Sequence, residues 1–114
     1  MKCVGRHLIL ELWECQDLNS PPVVEKVLRE AAEGCGATLL SLTVHPFSPQ
    51  GVTGVAVVAE SHILIHTWPE LGYAAVDVFL CGEKDPSLVI PILRKHFAPE
   101  RLQVMEIRRG IVSE

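Results

Sequence analysis

The sequence lacks both a long apolar segment and a cluster of basic residues, and these two absences narrow the possible functions. No apolar run approaches the ~20 residues that a transmembrane helix needs, and the N-terminal MKCVGRHLILELWE has no apolar core followed by a small-residue cleavage site. The ten Lys and Arg residues are scattered and the formal net charge is −4, which argues against a nucleic-acid partner. We therefore expect a cytoplasmic protein that acts on a small molecule.

Cysteine and histidine spacings of the usual metal-binding kind are also missing. No two of the four cysteines form a CxxC pair, so we expect free thiols at Cys3, Cys15, Cys35 and Cys81. On a strand, His62 and His66 would point the same way but lie roughly 13 Å apart, too far to share one zinc ion whose ligands lie ~2.1 Å from it. The sequence therefore predicts no metal site.

The apolar pattern that is present predicts six strands and two helices, in the order β-α-β-β-β-β-α-β. Strands are expected at 7–14, 37–45, 52–58, 62–68, 73–81 and 102–108. The first helix should begin with Ser20 as N-cap and Pro21 as its first residue, and end at Gly34 to Gly36. The second should open at Asp85-Pro86 and run to about Phe97, with a bend or a late start because Pro91 falls inside it.

This order favours an α+β two-layer sandwich with a mostly antiparallel sheet, both helices on one face, and pseudo-repeated halves. Even-numbered strand positions are aliphatic and should face the helices: Leu8, Leu10, Leu12, Leu40, Leu42, Val44, Ala74, Val76, Val78 and Leu80. Odd-numbered positions carry a mixed set: His7, Glu11, Trp13, Ser41, Thr43, Thr53, Tyr73, Asp77, Phe79 and Cys81.

The mixed face would leave apolar residues exposed in a monomer, among them Ile9, Val55 and Val57. Monomers usually avoid an apolar patch of this kind. We therefore expect a homodimer that pairs sheet to sheet, with chemistry between the two faces.

The break between two apolar strands reads Ala59-Glu60-Ser61-His62 and contains neither glycine nor proline. A serine hydroxyl can attack the carbonyl of the preceding residue where the backbone is strained and a proton acceptor is near. A polar hairpin tip would have the same composition, and Cys81 and His66 could equally be packing residues. The residues alone leave a reactive Ser61 and an ordinary turn both open.

One segment decides between these interpretations by resemblance. ESHILIHTWPELGYAAVDVFLCG, residues 60–82, closely resembles the processing and active-site segment of the bacterial and archaeal S-adenosylmethionine decarboxylase proenzymes. The runs at 5–15, 36–61 and 104–110 are similar to the same family. The resemblance implies that a single domain, 1–114, cleaves itself between Glu60 and Ser61 into a β chain (1–60) and an α chain (61–114).

The resemblance also implies a cofactor and a reaction. Ser61 would become a pyruvoyl group at the N-terminus of the α chain, and its ketone would form a Schiff base with the amine of S-adenosylmethionine. Decarboxylated S-adenosylmethionine, the aminopropyl donor for spermidine synthesis, would be released with CO2.

Several residues take roles by their position in the motif. His66 matches the processing histidine and Cys81 the proton donor of decarboxylation. Thr53 stands where the family often has a serine that assists processing, so cleavage is expected to be slower with the more restricted hydroxyl. The residues placed to bind the adenosyl group are Phe47, Trp68 and Glu70.

Two alternatives remain beside this reading. A pyruvoyl decarboxylase of the same fold could act on arginine or ornithine, although these substrates have no adenine for Trp68 to contact. An uncleaved, non-catalytic homologue could act as a regulatory partner, although Glu60-Ser61, His66 and Cys81 are all intact.

Overall fold

The computed structural model describes residues 2–112, in which two helices cover one face of a six-stranded sheet. The strands are β1 (Lys2–Trp13), β2 (Thr38–Pro46), β3 (Val52–Ala59), β4 (Ser61–Trp68), β5 (Tyr73–Cys81) and β6 (Arg101–Val112). The helices are α1 (Pro21–Gly34) and α2 (Val89–Phe97), with 3-10 turns at Pro69–Leu71 and Pro86–Leu88. The sheet order is β2-β3-β4-β5-β1-β6, and every neighbouring pair is antiparallel. The predicted α+β sandwich is confirmed.

Both helices begin as their sequences predict. The Ser20 hydroxyl accepts a hydrogen bond from the Val23 N–H at 3.3 Å, as an N-cap does. A 3-10 turn follows Asp85, and α2 proper starts only at Val89, so the predicted late start is confirmed. Pro91 thus falls in the first turn of α2, where a missing N–H removes no intrahelical bond.

The aliphatic face of β1 and β5 packs against the helices. Leu8, Leu10 and Leu12 of β1 are buried together with Val27 and Leu28 of α1 in one core cluster. The same cluster includes Val76, Val78 and Leu80 of β5 and Leu93 and Phe97 of α2.

On β4 the odd-numbered residues face the helices, whereas on the neighbouring strands β3 and β5 the even-numbered residues do. Val58 pairs with Ser61 across a two-residue connection, which exchanges odd and even positions between β3 and β4. Ile63 and Ile65 are therefore buried under the helices, while His62 and His66 lie on the opposite side of the sheet.

The prediction for Leu40 is wrong. A β-bulge lies between Leu39 and Ser41, and the extra residue shifts the alternation by one position. Leu40 is consequently 63% exposed, and Leu39 packs against the core instead.

The helix-free side of the sheet, which we call the open face, combines apolar and ionisable side chains. Val57 and Ile107 are 42% and 40% exposed, and Met105 is 59% exposed. Trp13, Tyr73 and Trp68 stack in a row with ring centroids 4.4 and 5.3 Å apart. Pairing through the open face and the pseudo-repeat of the halves stay predictions. No helix within residues 2–112 is long and apolar enough to cross a membrane.

Candidate active site

The Glu60–Ser61 bond lies at the tip of the β3–β4 hairpin. Ser61 pairs with Val58 on one side and with Leu80 on the other, so sheet pairing holds it from both directions. Its φ angle is 107°, in a region that non-glycine residues rarely occupy. Such backbone strain persists only where the surrounding structure enforces it, and it is common at reactive sites.

Cys81 lies against the same hairpin tip. Its thiol donates a hydrogen bond to Glu60 Oε1 with an Sγ–Oε1 distance of 3.0 Å. This hydrogen bond, more than desolvation, raises the pKa of Cys81 above its ordinary value. The thiol therefore keeps its proton next to the bond between Glu60 and Ser61. We call Glu60, Ser61 and Cys81 the cleavage group.

Gly5 allows β1 to approach the end of β5 that carries Cys81. A Cβ atom at this position would lie 2.5 Å from the Leu80 carbonyl oxygen and 2.8 Å from the Phe79 ring. Contacts this short are forbidden, so position 5 must be glycine for β1 to pair with Cys81 at this spacing.

Five other predicted residues lie together at the far end of β4. Thr53 and His66 are a cross-strand pair, with Thr53 Oγ1 3.0 Å from His66 Nδ1. They line a cavity of about 320 Å³ together with all three residues predicted to bind the adenosyl group. We call these five residues the pocket group: Phe47, Thr53, His66, Trp68 and Glu70.

The two groups do not meet within one chain. Ser61 and His66 are five residues apart on β4, which corresponds to roughly 16 Å along an extended strand. A smaller recess of about 180 Å³, lined by His66, His7 and Asp77, lies between the groups on the open face.

A cluster of His7, His62 and Asp77 fills the middle of the open face, and its arrangement was missed from the sequence. His7 Nε2 and His62 Nε2 each lie 2.8 Å from the same oxygen, Asp77 Oδ1. His62 Nδ1 also lies 3.4 Å from Ser61 Oγ. Both His7 and His62 pair with Phe79, two residues from Asp77, so the arrangement depends on the register of the sheet and the sequence carried no local signal for it.

The same cluster is the one set of residues within 2–112 whose geometry could hold a metal ion. The three ligand atoms lie within 4.8 Å of one another. Arg109 lies beside it, with its guanidinium 4.8 Å from the centroid of the Phe79 ring and 3.4 Å from His7 Nδ1. A fixed positive charge at that position disfavours a bound cation.

Tyr73 and Glu11 lie on the open face near the pocket group. The Tyr73 hydroxyl donates to Glu11 Oε1 at 2.5 Å. Burial, together with this hydrogen bond, raises the pKa of Tyr73 to about 12, so the phenol remains protonated.

Known proteins resemble this chain over nearly its whole length. A sequence model described as S-adenosylmethionine decarboxylase matches residues 6–110. The S-adenosylmethionine decarboxylase proenzyme of Methanococcus vannielii is 59% identical over 99% of this chain and 95% of its own length. That of Thermomicrobium roseum is 53% identical over 100% of both chains. The crystal structure of the adenosylmethionine decarboxylase from Aquifex aeolicus superposes with a TM-score of 0.92 at 32% identity, covering 100% of this chain and 97% of that one.

Proposed function

Because the chain belongs to the S-adenosylmethionine decarboxylase family, we propose that it cleaves itself between Glu60 and Ser61 and then works as a pyruvoyl-dependent enzyme in the cytoplasm. Its reaction is the decarboxylation of S-adenosylmethionine, which yields CO2 and the decarboxylated aminopropyl donor for spermidine synthesis. Full-length relatives of this name at 53% to 59% identity favour this substrate over arginine or ornithine.

Self-cleavage would start at the Ser61 hydroxyl. Attack of Oγ on the Glu60 carbonyl carbon forms an ester and breaks the peptide C–N bond, with the hydroxyl proton passing to the released amine. Loss of the Ser61 Cα proton then expels the Glu60 carboxylate, leaving residue 61 as a dehydroalanine. Hydrolysis of this residue releases ammonia and gives the pyruvoyl end of fragment 61–114, separate from fragment 1–60.

The residues around Ser61 fit a pyruvoyl group at this position. The strained φ angle of 107° lies at the bond to be cut, and the Glu60 carboxylate reaches Cys81 at 3.0 Å. A pyruvoyl group would supply an electrophilic carbonyl for the substrate amine and an acceptor for the electron pair left by CO2. Cys81 would hold the proton that replaces CO2 on the substrate's α-carbon.

The pocket group would bind the adenosyl part of the substrate. Phe47 and Trp68 are 52% and 39% exposed and can stack on adenine or contact the sulfonium. Glu70 lines the same cavity and can accept hydrogen bonds from ribose hydroxyls. His66, hydrogen-bonded to Thr53, would assist processing.

A second copy would bring the two groups together. Within one chain, His66 lies roughly 16 Å along β4 from Ser61, so it cannot act on the serine beside it. In a two-fold dimer each residue contact occurs twice, and pairing through the open faces could set the pocket group of one chain against the cleavage group of the other. The exposed apolar residues of that face, such as Val57 and Met105, support a homodimer.

The strained Glu60–Ser61 link against Cys81 is the observation that carries this proposal, and mass spectrometry tests it. Purified protein should consist of fragments 1–60 and 61–114, the second without a free N-terminal amine. CO2 should be released from carboxyl-labelled S-adenosylmethionine and not from arginine or ornithine. A single intact chain without carbonyl reactivity after long incubation would refute both cleavage and cofactor, and release from arginine would favour the alternative substrate.

A further inference from the structure

Ser61, His62 and Asp77 form a hydrogen-bonded line that the roles assigned so far do not use. Ser61 Oγ lies 3.4 Å from His62 Nδ1, and His62 Nε2 lies 2.8 Å from Asp77 Oδ1. Proteins activate a serine by hydrogen-bonding its hydroxyl to an imidazole and that imidazole to a carboxylate, in this order. Here the serine is the residue whose hydroxyl must attack the Glu60 carbonyl.

The hydrogen bonds determine which nitrogen of His62 carries the proton. An ionised carboxylate only accepts hydrogen bonds, so the contact with Asp77 puts the proton on Nε2. In the neutral ring, Nδ1 is then an acceptor, and the Ser61 hydroxyl is the donor beside it. His62 is thus held in the tautomer that can take a proton from Ser61.

Arg109 and His7 leave the negative charge of Asp77 available to His62. The Arg109 guanidinium only donates hydrogen bonds, so its contact with His7 Nδ1 at 3.4 Å requires that nitrogen to be unprotonated. His7 can then donate to Asp77 from Nε2, its other ring nitrogen. Within residues 2–112 no Lys or Arg forms an ion pair with Asp77, whose carboxylate contacts only His7 and His62, so it can stabilise an imidazolium at His62.

We propose that His62 is the base that accepts the Ser61 hydroxyl proton in the acyl shift, and that Asp77 positions and stabilises it. The inference rests on the self-cleavage proposed above. As the Oγ–C bond forms, the proton moves from Oγ to His62 Nδ1; as the C–N bond breaks, the same proton moves to the Ser61 amine. His62 is regenerated neutral, and no other reagent is needed.

His66 of the same chain is not placed for this step. Its Nδ1 is engaged by Thr53 Oγ1 at 3.0 Å, at the other end of β4. A role of His66 in processing would therefore have to come through a second copy of the chain.

The test follows cleavage of newly made proenzyme over time. His62→Ala should slow the appearance of fragments by about 10²-fold or more, the contribution typical of a positioned base, and added imidazole should partly restore the rate. His62→Gln, which retains a polar side chain of similar size, serves if His62→Ala fails to fold by circular dichroism. His96→Gln is the matched control: it removes a histidine–carboxylate hydrogen bond of 2.9 Å to Glu30 on the helix side, and should cleave like the parent.

A double-mutant cycle tests the role of Asp77. Asp77→Asn alone should slow cleavage, but in the His62→Ala background it should have no further effect, because Asp77 acts through His62. An independent further loss in that background would overturn the positioning role.

Hydroxylamine distinguishes the step affected, since it cuts an ester but not the peptide bond. His62→Ala should show no hydroxylamine-sensitive ester at residue 61. If the ester accumulates, His62 is required after the acyl shift. If both His62 variants cleave at the parental rate, His62 has no role in processing. Either result overturns the assignment of His62 as the base. A parent chain that never cleaves would instead refute the proposed function itself.

Discussion

Changing Cys81 to serine should separate self-cleavage from decarboxylation. The Cys81 thiol contacts Glu60 at 3.0 Å, and that contact raises its pKa, so the parent residue carries a proton that it can still give up. A serine hydroxyl at this position would preserve the hydrogen bond to Glu60 but would release its proton far less readily. Cleavage at Ser61 needs no proton from Cys81 and should proceed.

The expected loss of turnover follows from the role of a general acid. A positioned proton donor typically contributes about 10²- to 10⁴-fold to rate, so kcat of Cys81→Ser should fall within that range. A proton delivered to the wrong carbon, that of residue 61, would leave an alanine at the N-terminus of fragment 61–114. The variant should therefore also lose activity progressively during turnover.

Two measurements on one sample test this prediction. CO2 release from carboxyl-labelled S-adenosylmethionine gives kcat, and intact mass of fragment 61–114 before and after turnover reports conversion to alanine. Cys3→Ser is the matched control, because Cys3 is a partly buried free thiol two residues from Gly5 on the same strand. Parental kcat with an unchanged fragment mass in Cys81→Ser would refute the donor role and return Cys81 to packing.

Three further predictions concern processing and assembly. Ser61→Ala should remain one folded, inactive chain by mass spectrometry, because no hydroxyl is left to attack; fragments in this variant would exclude Ser61 as nucleophile. Thr53→Ser should cleave at least as fast as the parent. Thr53→Val and His66→Ala should cleave more slowly, because each removes the 3.0 Å contact between Thr53 and His66. Normal processing in Thr53→Val would show that the Thr53 hydroxyl is irrelevant. Phe79→Asp on the open face should convert the proposed dimer to an inactive monomer by light scattering, and a monomeric parent at micromolar concentration would contradict the proposed pairing.

Strand periodicity predicted most of the fold, and it failed where one residue changes the alternation. A continuous strand would bury Leu40, but the bulge before Ser41 turns it to solvent. A bulge depends on pairing with β3, which the local pattern of β2 does not contain. Long-range pairing, rather than propensity, decides such positions.

The candidate site divides in the same way. Ser61, Cys81 and His66 could be singled out from the sequence as candidates, but the residues alone left their function open and the resemblance supplied their roles. The hydrogen bonds of His62 could not be predicted, because Asp77 is fifteen positions away and reaches it only through the β4–β5 register. A short motif shows only the residues of one strand, whereas the neighbours of these residues on adjacent strands depend on how the whole sheet pairs.

The sheet order β2-β3-β4-β5-β1-β6 has a consequence for the proposed cleavage. Fragment 1–60 contributes β1, β2 and β3, and fragment 61–114 contributes β4, β5 and β6, so the two pieces interleave rather than lie side by side. Three of the five strand pairings, β3–β4, β5–β1 and β1–β6, then join one fragment to the other. The two fragments of the proposed cleavage would therefore share one sheet and could separate only if that sheet unfolded, so the cut chain would stay together without a covalent link between its parts.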